Sequence, residues 1–311
     1  MSSAAGSVTV ERVGAEAATD VHAVVRAAFE ARPPMDPPAD ALAETPATIA
    51  KSLGRARGLL VRLGGEPVGT ALLDVRTDTV FLRRFGVHPD AQGKGIASVL
   101  VEAAVEAVPT HRSLTVLARA EMPQTVDFWL AKGFEQEPGR PPYLQLRLAL
   151  PPRHVVTDAE QMRDLGRRVG LLLEAGDVLV LSGELGAGKT TFTQGLGDGL
   201  GVRPGITSPT FVIARVHPSL SEGPDLVHVD AYRLGGIDEL DDLDLDASLD
   251  EAVTVVEWGA GVAEGLSTRR LEVTITRALG GDVATGTTGT GDGSLEDHDP
   301  RVVEFAWVDE Q

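Results

Sequence analysis

Apolar positions along the chain fall into short dense runs of strand length, separated by stretches in which they recur every three or four residues. In the first half, helical spacing over roughly 19–30 precedes strand-like runs at GLLVRL, PVGTALLDV and TVFLRRFGV. A helix from about Gly95 to Val108, strand SLTVLARA, helix TVDFWLAK and strand YLQLRLAL follow. The proline-rich ARPPMDPPAD (31–40) reads as a loop inside this half, because strand patterns continue beyond it. Leu150-Pro151-Pro152-Arg153 interrupts the pattern more decisively. It closes a strand-like run and precedes Thr157-Asp158-Ala159-Glu160, a capping-box sequence with Thr157 at the cap. The break near residue 152 predicts two domains, 1–150 and 151–311. The second half then reads as a helix over 158–174, strand DVLVLSG, a glycine-rich turn and a helix to about Leu200. Strands FVIARVH, LVHVDAYRL, AVTVVEW, LEVTITRAL and VVEFAWV complete it. Strands interleaved with helices predict an α/β fold in both halves. The apolar-poor stretch 280–300 is expected to be a mobile loop between the last two strands.

Composition narrows the chemistry. The 311 residues are 42% hydrophobic and 24% charged, ordinary for a globular protein, and no apolar run reaches the length of a membrane span. The start, MSSAAGSVTVER, lacks the basic and apolar regions of a signal peptide, so a cytoplasmic location away from membranes is expected. The absence of cysteine excludes disulfides and thiolate metal sites, and the seven histidines show no ligand spacing. A net charge of −18 suits the chain poorly to gripping a phosphate backbone by itself. A nucleotide pocket remains compatible, since backbone N–H groups and one lysine can hold a triphosphate within an acidic protein.

Such a pocket is written at Gly183-Glu184-Leu185-Gly186-Ala187-Gly188-Lys189-Thr190, which follows an apolar strand and opens a helix. Glycines let successive N–H groups curl around phosphate oxygens, and the helix N-terminus adds partial positive charge. The expected ATP-binding segment is Gly183 through Thr191. Lys189 would reach the β- and γ-phosphates and Thr190 would ligate Mg²⁺. Such a site also needs carboxylates for the metal and the attacking water. Asp230 and Glu257, each closing a strand-like run, are the candidates, because the carboxyl ends of parallel strands face the ligand crevice. A strand-end acid is otherwise a helix cap or a solvated end. The acids of Asp238–Asp250 alternate with leucines and read as a solvated face.

The order GELGAGKTTFTQGL, ITSPTFVI (206–213), HVDAYRL (228–234) and VVEWG (255–259) resembles the bacterial TsaE family over roughly 155–310. The resemblance implies an ATPase that works with a TsaB–TsaD pair in making threonylcarbamoyladenosine at position 37 of tRNA. It would reach tRNA only through those partners. It also implies Lys189, Asp230 and Glu257 as catalytic groups, Glu257 beside Thr190 as a Mg²⁺ ligand, and Ser208-Pro209-Thr210 as a switch-like segment. Gly259 departs from the proline usual after E-W, which would loosen that turn. Trp258 either borders the nucleotide or a partner, or simply packs.

In the first half, Val87-His88-Pro89-Asp90-Ala91-Gln92-Gly93-Lys94-Gly95-Ile96-Ala97 joins a strand to a helix. With Phe128-Trp129-Leu130-Ala131-Lys132-Gly133-Phe134 it resembles the GNAT acetyltransferases over roughly 8–148. By this likeness Val87, Gln92, Gly93, Lys94, Gly95, Ile96 and Ala97 would bind acetyl-CoA, the diphosphate lying at the helix N-terminus. Trp129 occupies the position where the family often has a tyrosine acid, so that role is vacant or moved. Tyr143 reads as packing, Glu66 and Glu135 are unremarkable candidate bases, and Arg83 and Arg84 would meet an acidic acceptor or solvent. The expected architecture is a GNAT-like mixed sheet followed by a P-loop NTPase sheet, each with flanking helices. The alternative is a P-loop small-molecule kinase, fused to an inactive coenzyme A-binding domain. It would need arginines over an acceptor pocket, and Arg269-Arg270 is the one such pair after the loop.

Overall fold

The computed structural model describes residues 7–54, 57–76, 79–234, 239, 249–278 and 300–309. The chain divides into two units, Met1–Leu150 and Pro151–Gln311, each with a mixed sheet and flanking helices.

The first unit contains strands β1 (Val8–Val13), β2 (Gly58–Leu63), β3 (Glu66–Val75), β4 (Val80–Val87), β5 (Ser113–Arg119), β6 (Glu135–Glu137) and β7 (Tyr143–Ala149). Its helices are α1 (Ala18–Glu30), α2 (Pro46–Leu53), α3 (Ile96–Ala107) and α4 (Pro123–Ala131). The sheet runs β1-β2-β3-β4-β5-β7-β6, antiparallel except between β4 and β5. That parallel pairing is confined to Val80↔Leu114 and Phe81↔Thr115. Beyond it the strands part, where a register shift between Thr70 and Leu72 and the left-handed backbone of Arg84 (φ 51°) bend β4. Three elements were not expected from the pattern, one of them the three-residue strand β6. β1 is an edge strand whose outer residues Val8 and Val10 stay exposed. α2 is a short helix with a capping box between Thr45 and Thr48 and Pro46 in its first turn.

The second unit contains β8 (Arg153–Val156), α5 (Ala159–Gly170), β9 (Val178–Gly183), α6 (Lys189–Leu200), β10 (Ala214–His217), β11 (Asp225–Asp230), β12 (Ala252–Glu257), β13 (Arg269–Arg277) and β14 (Arg301–Asp309). The order is β10-β11-β12-β9-β13-β14-β8. β11, β12, β9 and β13 are parallel, and antiparallel strands close both sides. Leu179, Leu181, Val253, Val255, Leu271 and Val273 form one face of this parallel core, against Phe192 and Leu196 of α6.

Several boundaries move. The cap of α5 is Asp158 rather than Thr157: its carboxylate accepts from Gln161 N at 2.8 Å, while Gln161 Oε1 accepts from Thr157 N at 3.0 Å. This helix stops at Gly170, short of 174, and β8, which was not foreseen, precedes it. FVIARVH is a strand only from Ala214. Val212 N and Ile213 N both turn back to Pro209 O, and Ile213 takes a left-handed φ of 68°. LVHVDAYRL is strand to Asp230 and then a 3-10 turn over Ala231–Arg233. Most of 238–250 and of the expected loop 280–300 lies outside the described residues. Among the described residues no helix is long and apolar enough to cross a membrane.

Helices α5 and α6 meet through glycine. A Cβ at Gly166 would lie 2.2 Å from Phe192 O, at Gly170 2.4 Å from Leu196 O, at Gly195 1.9 Å from Arg163 O and at Gly199 2.3 Å from Arg167 O. Side chains there would force the helices apart, and α6 is the helix that opens at the candidate phosphate loop.

Candidate nucleotide site

β9 delivers the chain to Gly183, and α6 starts at Lys189 with Gly188 as its cap. Gly186 and Gly188 adopt φ of 76° and 108°, a region a side chain disfavours, so the loop can turn tightly and expose its backbone. The parallel register sets Asp230 directly beside Glu257, and Glu257 beside Leu181. Both acids therefore lie at the carboxyl end of the sheet, at the opening of α6.

Thr190 Oγ1 donates to Glu257, lying 2.9 Å from Oε1 and 3.2 Å from Oε2. Glu257 is buried on a strand otherwise apolar but for Thr254, and His228 Nε2 lies 2.9 Å from the same Oε1. Asp230 Oδ2 accepts from Ser208 Oγ at 2.8 Å and Thr210 Oγ1 at 2.5 Å, and Oδ1 accepts from Tyr232 N at 3.1 Å. Burial alone would raise the Asp230 carboxyl. The Thr210 and Ser208 hydroxyls and the Tyr232 N–H outweigh it and hold the group below the usual carboxylate range. Asp230 is thus ionised at neutral pH.

Lys189 Nζ donates to Gly183 O at 2.8 Å and Glu184 O at 3.0 Å, and sits 3.7 Å from the centroid of the Trp258 ring. Burial lowers its pKa from the ordinary value, opposed by the charges of Glu257 and Asp230. Trp258 therefore does more than pack. It takes a left-handed φ of 62°, stands 5.2 Å from the Tyr232 ring and closes over the lysine. The turn beyond it is not loosened at Gly259, whose carbonyl accepts from Val262 N and Ala263 N at 2.9 and 2.8 Å.

Thr190 and Glu257 offer a hydroxyl and a carboxylate, hard oxygen donors suited to Mg²⁺, which keeps several waters and shares phosphate oxygens. Among the described residues no group of three or more His, Asp or Glu gathers as a metal cage. The Thr190 and Glu257 donors fit a Mg²⁺ that shares phosphate oxygens. The Arg269-Arg270 pair opens β13, at the sheet end opposite the loop. Arg270 bonds Glu272 and Arg269 lies 3.8 Å from Asp177.

Sequence reasoning passed over His228. The signal was its place two residues before Asp230, which puts both on one face of β11. Tyr232, 63% exposed beside Trp258, was passed over as well.

In the first unit, β4 ends at Val87 and the Gln92–Gly95 turn is exposed, with φ of 73° at Gly93 and 79° at Gly95. Gly95 caps α3, Ile96 is buried beneath it, and Lys94 Nζ bonds Asp90 O at 2.9 Å. Trp129 is 4% exposed, with ring centroids of Phe85, Phe134 and Phe128 at 4.7, 4.9 and 5.1 Å. It holds an aromatic cluster and offers no hydroxyl. Arg83 and Arg84 are paired within the unit: Arg83 bonds Asp74 at 2.8 Å and Arg84 bonds Glu44 at 2.6 Å. Tyr143 lies 5.4 Å under the Arg119 guanidinium, and Glu66 and Glu135 are exposed.

The family model "Threonylcarbamoyl adenosine biosynthesis protein TsaE" matches residues 156–282, which hold the whole phosphate-loop site. TsaE of Streptomyces coelicolor is 68% identical over 120 residues, 38% of this chain and 81% of that protein. The chain belongs to the TsaE family. TsaE of Bacillus subtilis is 40% identical over 121 residues, covering 38% of this chain and 73% of its own length. The TsaE part occupies the second unit alone. The first unit matches the model "Acetyltransferase (GNAT) family" over residues 22–134. A solved structure similar to it is PaiA N-acetyltransferase from Thermoplasma acidophilum in complex with coenzyme A. It is 13% identical, with a TM-score of 0.42, and covers 46% of this chain and 99% of that one.

Proposed function

We propose that the TsaE unit hydrolyses ATP with Mg²⁺, as the ATPase of the machinery that makes threonylcarbamoyladenosine in tRNA. TsaB–TsaD-like proteins are its partners. The observation that carries this reading is the Thr190–Glu257 contact beside Lys189 and an ionised Asp230, at the carboxyl ends of parallel strands. The loop N–H groups and the start of α6 take the phosphates. Lys189 leaves the two loop carbonyls and the Trp258 face to meet the β- and γ-phosphate oxygens. Thr190 and Glu257 would hold Mg²⁺, which would supply charge neutralisation. Asp230 accepts a hydrogen bond from the attacking water and aligns it with the γ-phosphorus. The new P–O bond forms as the bond to the β-phosphate oxygen breaks, giving ADP and phosphate. Ser208 and Thr210, now on Asp230, form the segment that would re-pair when the triphosphate arrives. A kinase reading has less support, since the Arg269-Arg270 pair stands at the far end of the sheet.

The test is ATP turnover with and without TsaB–TsaD-like partners, with a parallel search for a phosphorylated small molecule. Slow turnover alone, faster turnover with partners and no such product is the expected result. At a charge of −18, the purified chain is also expected to give no tRNA gel shift at low salt, yet to stimulate modification in the complete mixture. Tight binding of tRNA by the chain alone would overturn that division of labour.

We further propose that the first unit binds acetyl-CoA along Val87 and Gln92–Ala97. Calorimetry on the full chain should show binding, and Gly95→Val should remove it, because a β-branched residue is strained at φ 79°. ATP turnover should not change in that variant. No binding to the parent chain at millimolar ligand would mean the unit is kept for its fold. With tryptophan at 129, acetyl transfer should not depend on a side-chain acid at that position.

A further inference from the structure

We propose that His228 is a positioning residue for Glu257: it pins one carboxylate oxygen so that Thr190 and Glu257 present a fixed pair of donors. The inference rests on the Mg²⁺-dependent ATPase reading above. His228 is fully buried on β11, and its neighbour in register on β12 is Val255, two residues before Glu257. The imidazole thus lies beneath the carboxylate at 2.9 Å from Oε1. A carboxylate oxygen only accepts, so the ring nitrogen facing it carries the hydrogen, and Nε2–H is the tautomer present. Nδ1 has no hydrogen-bond partner among the described residues, and the His217 ring lies 6.2 Å away, centroid to centroid. With its hydrogen on Nδ1 the ring would bury an unmatched N–H and set two lone pairs against each other, so the tautomer is fixed twice over.

A glutamate has three side-chain torsions, the last of them broad. At Glu257 the Thr190 hydroxyl approaches both oxygens, 2.9 and 3.2 Å away, and by itself leaves that torsion loose. A donor from below removes the freedom before any ligand arrives, which is how groups behind a metal ligand raise affinity without touching the ion. The alternation of β11 supplies the device economically. His228 orients the carboxylate on the next strand, and Asp230, two residues on, faces the same crevice.

The test compares His228→Gln, whose amide N–H can reach Oε1, with His228→Asn, whose amide stops short of it. Three quantities are read: nucleotide affinity without metal, Mn²⁺ affinity of the nucleotide-bound chain by electron paramagnetic resonance, and the Mg²⁺ concentration giving half-maximal hydrolysis. His228→Asn should weaken both metal readouts by roughly 10–100-fold, with metal-free nucleotide affinity unchanged, and His228→Gln should recover most of the loss. Unchanged metal readouts in a folded Asn variant, or equal losses in both variants, would overturn the proposal. Nitrogen shifts of His228 in the unmutated chain give a measure that needs no substitution: a ring with its hydrogen on Nδ1 would also overturn it. Metal-independent turnover by the unmutated chain would instead remove the Mg²⁺ dependence from the ATPase reading, and this inference with it.

Discussion

Replacing Lys189 with alanine is expected to abolish ATP hydrolysis while leaving the chain folded. The ammonium makes no contact within the apolar core of its unit. It rests on two carbonyls of its own loop and on the Trp258 face. Burial has already removed much of its water, so its charge acts strongly on phosphate oxygens and little is lost in reorganisation. Removing one such donor costs on the order of 10²–10³-fold in turnover where comparable groups have been deleted. The unfolding midpoint and far-UV circular dichroism should stay close to the parent's. The same variant should lose the indole fluorescence response to ATP, because no cation remains to leave the Trp258 ring. Parent-like hydrolysis in a folded Lys189→Ala chain would remove the nucleotide site from this loop.

The second large effect is expected at Glu257. Its removal takes away the proposed metal donor and leaves the Thr190 hydroxyl and the His228 N–H facing an unfilled space. Unmatched buried donors cost about 1–3 kcal/mol each. Glu257→Ala should therefore lower both Mg²⁺-dependent turnover, on the order of 10²-fold, and the unfolding midpoint. Glu257→Gln keeps the shape and one acceptor, so it should recover stability more than turnover. Asp250→Ala and Glu251→Ala serve as controls, since both side chains are exposed just before β12. They should change turnover by no more than about twofold, as surface substitutions usually do. Small and equal losses in all these variants would show that the metal carboxylate lies elsewhere.

The parts legible in the sequence were those written locally. The run Ala252–Val256 says strand by itself, and the phosphate-loop spacing says turn and helix by itself, so the α/β class and the acids at strand ends could be read in order. Three features could not be settled locally because their causes are distant in sequence. Phe211, Val212 and Ile213 favour strands, yet the Pro209 carbonyl and the Ser208 and Thr210 bonds to Asp230 bend that segment into a turn. His228 looked like one of several scattered histidines, because its partner Glu257 comes alongside only through parallel pairing of β11 with β12. Trp258 stayed open between a nucleotide or partner contact and packing, because nothing local reveals that its ring covers Lys189. The elements missed outright, β1, β6, β8 and α2, are short. Edge exposure blurs the alternation in β1, and α2 offers only two turns of periodicity.

The glycine seam between α5 and α6 closes an ordinary route to a more robust protein. Exchanging a helical glycine for alanine normally helps, since alanine is favoured by roughly 0.8–1.0 kcal/mol within a helix. At Gly166, Gly170, Gly195 and Gly199 the added methyl would meet a carbonyl of the facing helix at 1.9 to 2.4 Å. The sign of the exchange reverses, and the strain falls on the helix that carries Lys189 and Thr190 at its first two positions. Anyone hardening this chain for heat should leave these four positions alone and look instead to the exposed faces of the same helices.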